Sequence, residues 1–363
     1  MFLAGTTLPS SLRAAGTAAG TTIPNQATVN YQVGGVAQTA VTSNTYNFVV
    51  DRKINLSVAR TDGAAVSVTP GSTGNVLTFT LQNTGNSTQD FDVSAIARAG
   101  GTGAFGGTDN VNAATVAVYV ESGLHAGYQA AEDTATYVDE LAADATKTIY
   151  IVGDFSSGTY TNGQIAAYDL LAQARVGGTP GSEGAALTET SGADTPGTVD
   201  IVFADGQGSA TSVDAARDAK YSAVDDFIIS AASLTVTKAS AVISDPFNGA
   251  TNPKAIPGAV VEYTITITNA ASTATATNVA FSDSLAAEIT AGTIAFQPNA
   301  YAAGKGIRVT SPNLNGGSAL DLTNAGSDDQ GDWNVTGANV VTVTGIQLAA
   351  SESATIKFRV QIQ

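Results

Sequence analysis

Thirty-one Asp and Glu side chains, a single histidine and no cysteine define the chemistry open to this chain. Carboxylates can act in pairs as acid and base on a glycosidic bond, or join amide and hydroxyl oxygens as hard ligands for Ca²⁺. The absence of thiols excludes thiolate zinc sites, iron–sulfur clusters and cysteine nucleophiles. One imidazole, His125, excludes multi-histidine metal centres and leaves a base-dependent triad one possible base.

The densest oxygen donors are Asn324, Ser327, Asp328, Asp329 and Asp332, beside Trp333. Calcium is the ion they could hold, and a solvated acidic turn is the plainer expectation. Asp200, Asp205, Asp214, Asp218, Asp225 and Asp226 are spread over too many residues to form one loop site. A sugar-cleaving pair usually brings an aromatic platform, yet the chain has one Trp, with its Tyr and Phe mostly on strand faces. His125 reads as an exposed turn residue. The run GGTGAFGG (100–107) lacks the Lys-Ser/Thr and the strand-to-helix setting of a phosphate cradle, so it reads as a flexible loop. The expectation is therefore no catalytic residue, no cofactor beyond a possible calcium, and no enzyme.

Lys+Arg 15 against Asp+Glu 31 leaves −16 at pH 7, with a pI near 4.2. Nucleic acid and anionic lipid both need a positive footprint, so neither is an expected partner. With 13% charged and 43% apolar residues the chain should fold. No apolar run approaches a membrane helix. Residues 1–14 resemble the tail of a secretory signal cleaved after Ala14, which predicts export to the cell surface or extracellular space. The strand pattern TIKFRVQIQ reaches the last residue, so retention at a surface is expected to be non-covalent.

The elements that must position these groups are strands. Ile54/Leu56/Val58, Leu77/Phe79/Leu81, Phe91/Val93/Ala95, Val116/Val118/Val120, Val199/Ile201/Phe203, Tyr263/Ile265/Ile267 and Ile356/Phe358/Val360/Ile362 alternate with polar residues. Gly/Asn/Ser/Pro clusters separate them at sandwich spacing. Helical turns are expected only around Asp214 to Ala223 and Gln129 to Asp133. Within 15–53, Val29, Tyr31 and Val33 share a face, Gly34-Gly35 suits a two-residue hairpin turn, and Tyr46, Phe48 and Val50 continue beyond it. A lone hairpin is marginal, so these faces must dock, either on the edge of the same chain's sandwich or on the next copy.

Compared with itself, the chain aligns INLSVAR (54–60) with SLTVTK (233–238). Pro70-Gly71 and LTFTLQN (77–83) align with Pro257-Gly258 and YTITITN (263–269), and LAADATKTIYIV (141–152) aligns with LAASESATIKFR (348–359). Three matches in one order predict two copies of one domain. The division is 54–231 for a first sandwich carrying inserted strands and 232–363 for a second, with 154–231 alternatively a small third domain.

The second copy, with LTVTK, DPFNGATNPKAIPGAVVEYTITITN, ATNVAFSDSL and LAASESATIKFRVQI, resembles the conserved repeat of bacterial surface proteins known as domain of unknown function eleven. The lead-in AGTTIPNQATVNY with TSNTYNFVV resembles the segment such proteins carry. That likeness implies an immunoglobulin-like sandwich in an exported surface or matrix protein and brings no catalytic residues. Relatives often place an Asp- and Gly-rich turn where this chain has Glu121 to Asp133; Ser122, Leu124 and His125 here occupy the would-be ligand positions. Lys238 lies where isopeptide-forming surface domains place their lysine, but the last strand lacks the asparagine and the first copy has Arg60.

The expected fold is all-β, two tandem immunoglobulin-like β-sandwiches behind an N-terminal β-hairpin. The expected role is structural: self-association, head to tail, by strand addition through Val29, Tyr31, Val33, Tyr46 and Phe48. The alternative is an adhesin that presents its loops to a glycan or matrix partner.

Overall fold

The computed structural model describes residues 16–158, 160–271 and 273–363; the expected signal remnant, 1–14, lies outside them. Alternating apolar residues bury one face of a strand, and the structure is accordingly all-β, built as sandwiches of paired sheets. One compact unit ends at Ile229; the other runs from Ser230 to Gln363 and takes in Thr161–Gly163.

In the first unit a four-stranded antiparallel sheet has the order Thr115–Val120, Thr146–Asp154, Asn75–Asn83, Leu56–Arg60. Facing it is a five-stranded sheet in the order Tyr137–Leu141, Gln89–Ala97, Ile165–Val176, Lys220–Ile229, Val66–Val68. Leu77, Phe79, Leu81, Ile149 and Ile151 from one sheet and Phe91, Leu170 and Phe227 from the other are fully buried. Two strands of 154–231, Ile165–Val176 and Lys220–Ile229, sit inside the five-stranded sheet, so this stretch builds the first sandwich itself. Arg52–Ile54 pairs in parallel with Ile201–Phe203.

The second unit has a six-stranded sheet whose main path is Leu234–Ser244, Val260–Asn269, Ser353–Ile362, Ile307–Thr310, Leu320–Leu322, with Ile294–Phe296 also on Ser353–Ile362. The opposing sheet has only three strands, Ala276–Ser284, Val340–Leu348 and Gly331–Trp333. Ile265, Ile356, Phe358, Val341, Val343 and Leu348 fill the space between them.

The aligned segments take matching places in the two units. Leu56 pairs with Asn83 and Leu234 with Asn269; Val58 pairs with Leu81 and Val236 with Ile267. Asn83 and Asn269 are both fully buried. The Asn83 amide donates to the carbonyls of Leu141 and Ser87, and the Asn269 amide to those of Leu348 and Ala274. Gly71 N–H donates to Phe155 C=O and Gly258 N–H to Ile362 C=O, with φ of 92° and 86° after the prolines. Asp144 and Ser351, at aligned positions, share a positive φ.

Two expectations are corrected. The α-helix among the described residues is Ala286–Thr290, where none was foreseen. Around 214–223, Asp214 N–H reaches Ala210 C=O in one turn, but residues from Lys220 onward are strand because their backbone pairs with Ile165–Val176.

Candidate assembly surface

From Thr22 to Val49 the chain forms one long hairpin. Thr22–Asn25 pairs with Tyr46–Val49, Thr28–Val29 with Val41–Thr42, and Gln32–Val33 with Val36–Ala37. Gly34 and Gly35, with φ of 58° and 82°, supply the two positive angles of the tip, a conformation that L side chains resist. The shorter arm, Thr22–Val33, at about 3.3 Å per residue gives a ribbon roughly 40 Å long. No strand of this ribbon pairs with a sandwich strand. The possibility that the segment folds back as an edge of its own sandwich is thus not what the described residues do: each arm's partner is the other arm.

Val29, Tyr31, Val33, Val36, Val41, Tyr46 and Phe48 are between 47% and 65% exposed. Val29 lies opposite Val41, and Val33 opposite Val36. The five residues singled out from sequence, Val29, Tyr31, Val33, Tyr46 and Phe48, therefore all stand on the free ribbon. Residues 14–50 contain no Asp, Glu, Lys or Arg. Asn86, largely buried, fixes the root: its amide donates to Thr17 and Asp51 carbonyls and its Oδ1 accepts from Lys53 N–H.

Sequence patterning did not reveal a second exposed surface. Leu234–Ser244 is an eleven-residue edge strand, paired among the described residues only with Val260–Asn269. Asn269 spends its own N–H and C=O on Glu352 and Ser351, toward the sheet interior. Its partner Leu234, and by period two Val236 and Lys238, therefore turn their backbone groups to the free edge. Lys238 Nζ lies 4.7 Å from the Tyr263 ring centroid and 2.5 Å from Asp283 Oδ2, which places this side-chain face toward the opposing sheet. Leu234 and Val236, on that face, are nevertheless 41% and 62% exposed. The three-stranded sheet stops at Ala276–Ser284 and leaves the mouth of the sandwich open. Lys238 is held by an ion pair, and Arg60, its counterpart, stacks 4.6 Å from the Phe105 ring.

The calcium candidates do not converge. Asp332 accepts from Val335 and Thr336 N–H and from the Thr336 and Thr342 hydroxyls. Burial opposes its ionisation, but those hydroxyls and the two N–H groups together outweigh it and hold the carboxyl below the ordinary range. Asp329 accepts from Thr323 and Gly331 N–H, Asp328 from the Thr323 hydroxyl, and Asn324 Oδ1 from Gly306 N–H. Around 121–133, Glu121 accepts from Gly123 and Gly127 N–H and from Tyr150, whose hydroxyl lowers its pKa. His125 is exposed and lies 2.8 Å from Glu132. Asp245 ties the loop that follows it by accepting from Asn248, Lys254 and Phe247 N–H, which pulls its pKa down to about 2.

Among the described residues, three carboxylates meet at Asp51, Asp194 and Asp200, and three at Asp90, Asp139 and Glu140. The second group accepts from the N–H groups of Gly178, Thr179, Gly181 and Gly184, so its charge holds the 177–184 turn in place. Sequence reasoning missed both because each group brings in one residue far away along the chain, Asp51 to the loop of Asp194 and Asp200, and Asp90 to Asp139 and Glu140. The dispersed aspartates are another surprise: Asp205, Asp214, Asp225 and Asp226 are 0–3% exposed.

No helix among the described residues is long and apolar enough to cross a membrane. No family model matches the chain, and no curated protein matches it. Among solved structures it is similar to BspA_C_mut, at TM-score 0.32 and 10% identity, covering 85% of this chain and 90% of that one. It is also similar to the CupB6 tip adhesin from Pseudomonas aeruginosa (TM-score 0.27, 11% identity, 85% and 88% covered). The class 5 fimbriae chaperone CfaA follows (TM-score 0.23, 11% identity, 82% and 83% covered).

Proposed function

We propose that this chain is a non-enzymatic structural protein, exported to a bacterial surface or extracellular matrix, whose N-terminal hairpin joins one copy to the next. The observation that carries this reading is the free ribbon Thr22–Val49, with seven large apolar side chains in solvent and no charge. Its partner is a second copy, at the edge Leu234–Ser244. Addition there satisfies the edge backbone and covers Leu234 and Val236. Two chains each carrying −16 repel over most of their surfaces, but not where an uncharged ribbon meets an edge whose one charge is neutralised by Asp283. Donor and acceptor are different surfaces, so the contact does not close on itself and propagates as a filament. The matched registers of the two units support their reading as copies of one domain, of the surface-repeat kind that the sequence resembles.

The test compares the full chain with a chain lacking residues 1–50, by size exclusion and negative-stain microscopy. Polymers from the full chain and monomers from the truncated one are expected. Substituting Val236→Pro removes a free-edge N–H without touching the pairing to Val260–Asn269, and should cap growth in a folded protein. Val29→Ser, Tyr31→Ser and Val33→Ser together forgo about half of ~1.5–3 kcal/mol per side chain, roughly 2–4 kcal/mol in all, or about 30-fold or more in association. A full chain that stays monomeric at high concentration refutes the reading.

A further inference from the structure

We propose that Asp109 and Asp226 bind a calcium ion beneath the glycine-rich turn 100–109 of the first sandwich. Asp226 stands on the outer face of the strand Lys220–Ile229, yet it is 0% exposed because this turn folds over it. Its Oδ2 accepts from Phe105 N–H at 3.0 Å, while its Oδ1 is buried with no partner. A Cβ built on Gly103 would lie 2.5 Å from that Oδ2 and 2.9 Å from Oδ1, so the turn backbone closes directly on the carboxylate. The turn is thus a fitted cover, not the flexible loop its composition suggested.

Asp109, at the end of the same turn, is 4% exposed, and its Oδ1 accepts from Ala167 N–H at 2.9 Å. Ala167 is the strand partner of Asp226, so both carboxylates are gathered over one residue. Burial, and then the charge of Asp226, push the Asp109 pKa up. Neither acid forms an ion pair among the described residues. Asp169, farther along the same face, shows what neutralisation looks like here, with Arg98 Nε 3.1 Å away. Two buried carboxylates without a counter-charge are strongly unfavourable, and one of their oxygens is unsatisfied. A hard divalent cation answers both deficits. Ca²⁺ accepts a mixture of carboxylate and backbone carbonyl oxygens, and five glycines in residues 100–107 keep the turn carbonyls uncrowded.

The test is titration of the full chain, stripped with chelator, by Ca²⁺ alone, followed by calorimetry and thermal unfolding. One saturable site and a rise in melting temperature are expected. Asp226→Asn and Asp109→Asn should each weaken binding at least tenfold and abolish the rise, while Asp328→Asn leaves both intact. Hydrogen exchange of the wild-type chain gives an answer even if a variant folds poorly: Ca²⁺ should slow exchange across 100–109. No heat and no shift at millimolar Ca²⁺, unchanged exchange in that turn, loss of binding through Asp328→Asn instead, or equal affinity for Mg²⁺ would each overturn the assignment.

Discussion

Asp225→Asn offers a direct test of the buried charge in the first sandwich. Asp225 is 0% exposed, on the face of its strand that looks between the sheets, with the Asp62 carboxyl within hydrogen-bonding reach. Burial first, and the neighbouring Asp62 carboxyl next, raise its pKa from 3.8 to about 8. The folded chain therefore keeps this proton up to about pH 8, whereas the unfolded chain releases it above 3.8. Its contribution to stability is fully present below pH 3.8, is lost progressively as pH rises, and is gone above 8. Each pH unit in that window costs about 1.4 kcal/mol, so at pH 7 the penalty is about 4 kcal/mol. Asparagine keeps the shape and can donate a hydrogen bond as the protonated acid does, but it does not titrate. Urea unfolding in chelator, followed by circular dichroism and tyrosine absorbance from pH 5 to 8, should show a falling midpoint for wild type. The variant should lack most of that slope and be the more stable protein at pH 8. A wild-type midpoint independent of pH over this range, or a variant less stable than wild type at pH 8, refutes the reasoning.

Asn269→Ala and Asn83→Ala should each cost at least about 2 kcal/mol, since buried carbonyls lose their donors; equal effects in urea titrations would mark equivalent roles, and a loss under about 0.5 kcal/mol would deny them. Asn86→Ala should loosen the hairpin root, seen as faster hydrogen exchange at Gly20 and Val50 while the sheet strands stay protected. Replacing Gly34 and Gly35 with valine puts β-branched side chains at positive φ, at about 1–2 kcal/mol each; the ribbon should open, with assembly weakened about tenfold or more in light scattering. If assembly is unchanged, a preformed ribbon is not what docks.

Much of this architecture is legible because alternation is a local signal. Leu77, Phe79 and Leu81 read as one buried face and are one. Gly34-Gly35 reads as a hairpin tip because few other sequences supply two positive φ values. Asn83 and Asn269 stand out because the segments around them align, although only the structure gives their shared carbonyl partners. What is not legible depends on distant chain. Asp226 looks like an outward strand residue, and its burial comes from a turn more than a hundred residues earlier in sequence. Leu234 and Val236 look half-buried by period, and are exposed because the opposing sheet is too narrow to cover them. The acids of 324–332 look like a cluster, but each is taken by the amides and hydroxyls of its own turn.

The second unit's first and last strands, Leu234–Ser244 and Ser353–Ile362, both run antiparallel to Val260–Asn269 and hence parallel to each other. Tension applied at the start of the first and the end of the last pulls them past their common neighbour in opposite directions. The ladder bonds lie across that direction, so the load falls on two long rows of them at once instead of peeling them singly. Pulled between those two ends, the domain yields only when a whole row shears at once.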